Sequence, residues 1–159
     1  MDLVYSNELL PGDYGQIREI LESSGFFRPE EVVVALELVE EGQKNGNESG
    51  YYFITARAKN RVIAYSCYGP IPLTFNRWDI YWIAVTDRFR GKRIGGMLLE
   101  KTEERIRALG GKKAYIETSS SHLYAPTRRF HEKQGYILEA VLKDYYDDED
   151  DKCIYVKDI

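Results

Sequence analysis

Cysteine is scarce in this chain, and what little there is carries no pattern. Cys67 and Cys153 are the two thiols in 159 residues; they stand far apart and fit no metal-binding or redox spacing, which implies reduced thiols in a cytoplasmic protein. No apolar run approaches the ~20 residues that would cross a bilayer, and Met1 opens no signal peptide, so no membrane partner is expected. Basic residues are not in excess: 22 Lys and Arg against 26 Asp and Glu give a net charge of −4, which argues against general nucleic-acid binding. Repeats and low-complexity linkers are also missing, so residues 1–159 are read as a single domain. Two phosphate-binding signatures are absent as well. There is no GxGxxG after an early strand with an acidic ribose partner, and no GxxxxGK[ST] string, which sets aside Rossmann and P-loop domains.

What the chain does have is concentrated in the stretch DIYWIAVTDRFRGKRIGGMLL, Asp79 to Leu99. A strand that is apolar on both faces runs into a loop bearing Arg88, Arg90, Lys92 and Arg93, and a helix begins near Ile94 with Gly95 and Gly96 in its first turn. Free N–H groups, the positive end of the helix dipole and glycines that permit close approach together form a cradle for phosphates. Positive charge gathers here and at Arg128 and Arg129, whereas Asp147 to Asp151 is an unbroken acidic run. That segregation suits a compact anionic ligand better than a polymer.

Periodicity predicts a strand at Leu3 to Tyr5, a helix with Ile17, Ile20 and Leu21 on one face, and a second helix opened by Pro29. A hairpin follows over Tyr51 to Ala58 and Val62 to Tyr68, then the central strand Trp78 to Val85 and the helix from Ile94 to Leu109. Lys113 to Thr118 is a further strand, Ala125 to Lys133 a shorter helix, and two strands, Tyr136 to Tyr145 and Lys152 to Lys157, finish the chain. The order implies a mixed sheet covered by helices.

VTDRFRGKRIGGMLL resembles the strand, (Q/R)xxGx(G/A) loop and helix of the GNAT superfamily of acetyl-coenzyme A dependent acyltransferases, and FHEKQGY about 40 residues on resembles its [FL]YxxxG[FY] motif. The two-helix insertion after the first strand and the closing strand pair match the family order too. The resemblance implies an α+β or α/β fold with a mixed, mostly antiparallel central sheet of about six to seven strands flanked by about four helices. It further implies an N-acetyltransferase with acetyl-coenzyme A as co-substrate and no metal. The pantetheine arm would lie on the backbone of Ile83, Ala84 and Val85. The pyrophosphate would lie on Arg90, Gly91, Lys92, Arg93, Ile94, Gly95 and Gly96, with Thr127 and Phe130 beside the coenzyme. Arg93 stands where the loop usually has its first glycine; it either adds a phosphate contact or is a solvated side chain on a helical backbone.

An amine of pKa near 10.4 is only about 0.04% neutral at pH 7, which corresponds to ~4.6 kcal/mol of deprotonation work. In histone-type members of the family a glutamate on the strand before the loop does this work, and Asp79 matches its position. Alternation puts Asp79, Tyr81 and Ile83 on one face. Asp79 is thus a candidate base, amine ligand or strand-start residue, and Glu117 at the end of the next strand is a second candidate. His131 stands where the family commonly places a tyrosine that protonates the leaving thiolate, and Tyr124 is the alternative acid. A thiol of pKa ~8.5 leaves fairly well unaided, so this help is moderate. Tyr51, Tyr52, Tyr65 and Tyr68 are readable either as an acceptor cleft or as core, and the acidic run either as a lure for a cationic acceptor or as a solvated hairpin tip. The expected acceptor is a small-molecule or peptide amine, with a homodimer left open. A non-catalytic acyl-coenzyme A sensor or interaction module is the reading from another class.

Overall fold

The computed structural model describes residues 2–159. Seven strands form one sheet in the order β1-β2-β3-β4-β5-β7-β6, with β1 (Val4–Ser6), β2 (Tyr52–Ala58), β3 (Arg61–Pro70), β4 (Arg77–Val85), β5 (Lys113–Ser119), β6 (Ile137–Asp147) and β7 (Asp150–Asp158). All neighbours pair antiparallel except β4 and β5, which are parallel. Four α-helices occur among the described residues: α1 (Asp13–Ser23), α2 (Pro29–Asn45), α3 (Ile94–Ala108) and α4 (Ala125–Lys133). The mixed, mostly antiparallel sheet with four helices is the architecture expected from the motifs.

Local chemistry accounts for the element ends. Pro29 opens α2 with Glu30 and Glu31 in its first turn, where carboxylates complement the helix dipole. Helix α3 stops at Gly110 and Gly111. A Cβ on Gly111 would lie 2.3 Å from Ile106 and 2.8 Å from Trp78, so only glycine lets the chain leave α3 this close to the sheet.

A core fills each face of the sheet. On one side Leu98, Leu99 and Ile106 of α3 pack on Ile54, Tyr68, Trp78, Ile80 and Tyr155. On the other, Ile17 and Leu21 of α1 and Ala35 and Val39 of α2 pack on Phe53, Tyr65, Cys67 and Ala84. Both cysteines are buried and unpaired. Tyr65 and Tyr68 are core residues on opposite faces, while Tyr51 and Tyr52 are half-buried at the margins of those cores, Tyr52 packing against Tyr68 and Trp78.

Among the described residues a buried ion pair and a part-buried one tie the layers together. Asp13 at the start of α1 accepts both guanidinium arms of Arg57 on β2, at 2.8 and 2.5 Å, and the backbone N–H of Leu10 at 2.7 Å. Glu103 of α3 meets Lys157 of β7 at 2.8 Å and accepts from the Tyr136 hydroxyl at 3.3 Å.

Candidate active site

The site is made by two irregularities in the sheet. In the β3–β4 ladder, Cys67 pairs with Trp82 and Tyr68 with Ile80, so Tyr81 is an extra, bulged residue. A bulge inverts the alternation beyond it. Ile83 and Val85 therefore join the core beneath α3, while Asp79, opposite Gly69, lies on the α1–α2 side with Trp82. This corrects the expectation from unbroken alternation that Asp79 and Ile83 share a face.

The second irregularity is a parting of strands. β4 and β5 pair over only three residues, Arg77–Asp79 with Lys113–Tyr115, and then diverge. The gap opens into a cavity of about 1540 Å³ lined by Ile80 to Val85 on one wall and Ile116 to Ser119 on the other. Backbone N–H and C=O groups on these inner edges have no ladder partner, so the cavity is walled by hydrogen-bonding groups available to a ligand.

The cationic loop and the start of α3 form one end of the cavity. Ile83, Ala84, Val85, Arg90, Gly91, Arg93, Ile94, Gly95, Gly96, Thr127 and Phe130 all line it. Lys92 does not; its ammonium lies 5.1 Å from the centre of the Phe89 ring. Arg90 has a structural tie as well: its guanidinium meets Asp87 at 2.9 Å, donates to the Ser24 carbonyl at 3.3 Å and lies over the Phe26 ring. A Cβ on Gly95 would make only ordinary contacts, 3.5 Å to Phe130 and 3.7 Å to Val85. Packing within the chain does not demand glycine there, which leaves the room for a ligand.

Arg93 caps α3 with φ 63° and ψ 8°, a left-handed backbone where a helical one was expected. L-residues other than glycine adopt it at a cost of roughly 1–2 kcal/mol, and the exposed Arg93 side chain forms no ion pair among the described residues. Arg93→Gly is expected to raise Tm by about 2–4 °C in a thermal melt. A lower Tm would show that the side chain stabilises the fold through contacts that outweigh the strain.

At the other end Asp79 is half-buried, and burial together with the negative charge of Glu117 pushes its carboxyl up to about 6, against a smaller opposing effect of Lys152. Glu117 itself meets Lys152 at 2.7 Å. Tyr124 donates to the Phe26 carbonyl at 2.8 Å and lies 3.4 Å from Glu31; burial and that carboxylate raise its hydroxyl to about 12. His131 also lines the cavity. It is 5% exposed, packed among Phe130, Tyr136 and Tyr155, its Nδ1 has no partner, and burial lowers it to about 4.

Because burial holds His131 down at about 4, below its unfolded value near 6.5, its cost appears as pH falls from 6.5 to 4, where the unfolded chain takes up the proton first. The loss amounts to about 3 kcal/mol once complete. His131→Phe is expected to flatten this part of a stability-against-pH curve from denaturant titrations. An unchanged acid slope would place the sensitivity elsewhere.

Glu31, Phe27, Trp82 and Tyr146 line the cavity without having been expected there, and Tyr81, expected on the Asp79 face, lines it too, as do Asp147 and Asp150 of the acidic run. Only the acidic run carried a signal, and it was ambiguous until the direction of the β6–β7 turn was known. No group of three or more His, Cys, Asp or Glu side chains placed to hold a metal ion occurs among the described residues. Nor is any described helix long and apolar enough to cross a membrane.

The family model of the acetyltransferase (GNAT) family matches residues 16–136. The chain belongs to that family. A GNAT-family protein from Desulfovibrio desulfuricans is 41% identical over 99% of both chains with a TM-score of 0.97. The ribosomal-protein-S18-alanine N-acetyltransferase of Escherichia coli shares the fold at 18% identity, covering 99% of this chain and 94% of its own, with a TM-score of 0.77. So does the PaiA N-acetyltransferase of Thermoplasma acidophilum, solved in complex with coenzyme A, at 17% identity over 100% of both chains and a TM-score of 0.77. A comparison with curated proteins finds no match.

Proposed function

We propose that this chain moves the acetyl group of acetyl-coenzyme A directly to an amine in a ternary complex. The parting of β4 and β5 beside the cationic loop carries the reading: it offers unpaired strand backbone and a helix start to one ligand within a single cavity. The coenzyme A bound to the Thermoplasma acidophilum relative supports it. Ile83 to Val85 would hold the pantetheine arm through backbone groups, and the turns from Arg90 to Gly96 the pyrophosphate.

Asp79 is the base in this reading. Its raised carboxyl, near 6, is ionised at neutral pH yet far more basic than a free aspartate, which is what proton removal from an ammonium at pH 7 needs, directly or through one water. Glu117 is the alternative base, but its carboxylate is engaged by Lys152. The neutral nitrogen then attacks the acetyl carbonyl, polarised by a strand N–H, the C–S bond breaks, and the acylated nitrogen loses its second proton to the departing sulfur. His131 is neutral above about 4, and the Tyr124 hydroxyl sits near 12 and is committed to the Phe26 carbonyl. The thiolate therefore departs mainly by its own acidity, with His131 and Tyr124 shaping the wall around it.

Calorimetric titration with acetyl-coenzyme A, paired with thiol release on a panel of amines, tests the reading. Gly95→Ala should keep the fold and weaken coenzyme binding at least about tenfold, because its methyl group occupies the room left for the ligand. Unchanged affinity would remove the coenzyme from this loop. Tight binding with no thiol release on any amine would leave a binding module in place of an enzyme.

A further inference from the structure

The acceptor end of the cavity is sorted by charge. Glu31, Asp79, Glu117, Asp147 and Asp150 line the cavity, and Glu100 lines it from α3, which follows the cationic loop. Two are neutralised within the chain: Glu31 by Arg28 at 3.0 Å and Glu117 by Lys152 at 2.7 Å. Asp79, Asp147 and Asp150 have no ion-pair partner among the described residues.

Asp147 and Asp150 face one another on the last rung of the β6–β7 ladder. Like charges directly opposite across a strand pair destabilise it, and the hairpin had another option. Its neighbour Asp151 is absent from the cavity lining and is satisfied by Lys143 and by the Asp144 N–H, both at 3.0 Å. Asp150 accepts from Ser119, and Asp147 accepts from the turn N–H of Asp148 at 2.8 Å. The hairpin thus neutralises the carboxylate pointing elsewhere and turns two uncompensated ones to the cavity. The walls of the same cavity also carry Phe27, Tyr81, Trp82 and Tyr146, whose ring faces suit methylene chains and cations.

Resting on the acetyl-transfer reading, we propose that the acceptor is a small aliphatic amine with at least two positive charges, its reacting nitrogen at Asp79 and a second ammonium between Asp147 and Asp150. The reacting ammonium gives one proton to Asp79, the N–C bond forms as the C–S bond breaks, the acylated nitrogen gives its second proton to the departing thiolate, and Asp79 returns the first to solvent. The product has one positive charge fewer than the substrate. It is therefore held less tightly by the same carboxylates, which favours its release.

Thiol release is measured with butane-1,4-diamine, spermidine, butylamine, kanamycin and a lysine-containing peptide, on wild type, Asp147→Asn and the Asp147→Asn/Asp150→Asn pair. The proposal expects kcat/KM for the diamine or spermidine to exceed that for butylamine at least about tenfold, with the ratio falling below about threefold in the double variant and part of the way in Asp147→Asn. The preference should also shrink with added salt. Kanamycin turned over in preference to the linear amines would overturn the aliphatic assignment, and turnover of the peptide alone would overturn the small-molecule assignment. Equal use of butylamine and the diamine would overturn the second-ammonium site while leaving acetyl transfer standing. No release with any amine, despite calorimetric binding of acetyl-coenzyme A, would overturn both.

Discussion

Asp79→Asn is expected to lower kcat/KM by about 10²–10⁴-fold while coenzyme affinity stays near that of the wild type, the range general-base catalysis ordinarily supplies. Asn is close in shape to Asp, so the fold and the neighbouring Tyr81 have little reason to move. The pH profile gives the loss its meaning. If Asp79 takes the proton from a bound ammonium, wild-type kcat/KM rises with pH through about 6 and then levels, and the variant lacks that limb. Activity that climbed steadily towards the pKa of the free amine in both proteins would show that neutral amine binds from solution and needs no base.

Stability should move in the opposite direction. The folded carboxyl sits at about 6, above its unfolded value near 3.9. Between those values the folded state holds the proton more tightly, so ionisation weakens the fold as pH rises through the window and the cost is complete above it. Asp79→Asn removes that cost. Its Tm relative to wild type should be higher at pH 8 than at pH 4, measured by paired thermal melts, and a variant with no such pH-dependent gain would place Asp79 in an environment no more desolvating than water.

The largest stability effect is expected at the buried pair of Asp13 and Arg57. Removing one partner strands the other's charge at 1% or 8% exposure, a situation that typically costs about 3–5 kcal/mol. Arg57→Ala should therefore shift a denaturant unfolding curve by that amount, and should do more harm than replacing both residues with apolar ones of similar size. A loss below about 1 kcal/mol would mean that water reaches the pair and screens it. The site is affected indirectly, since α1 and the chain from Ser24 to Arg28 carry the Phe26 carbonyl and Ser24 carbonyl that anchor Tyr124 and Arg90.

Much of this was legible in the sequence because it follows from local rules. The strand apolar on both faces, the cationic glycine loop, Pro29 at a helix start and the span of α4 all stand where composition and spacing place them. The bulge at Tyr81 was not legible, since alternation presumes a regular ladder and an inserted residue is decided by how β4 twists against β3. The left-handed backbone at Arg93 was hidden by the residue type itself, which gives no cue for positive φ. His131 read as a titratable side chain in a motif; its neutrality comes from Phe130, Tyr136 and Tyr155, two of which arrive from β7 and from the residue just before β6. The acidic run showed its charge but not its direction, which depends on the β6–β7 register that sets Asp147 against Asp150.

Initial rates of thiol release, measured while acetyl-coenzyme A and a diamine are varied against one another, test the central claim most directly. Direct transfer between two ligands in one cavity predicts double-reciprocal lines that intersect, with rates that fall sharply in Asp79→Asn. Parallel lines would indicate a covalent acetyl-enzyme, and thiol release indifferent to the amine would mean simple hydrolysis; either contradicts the account.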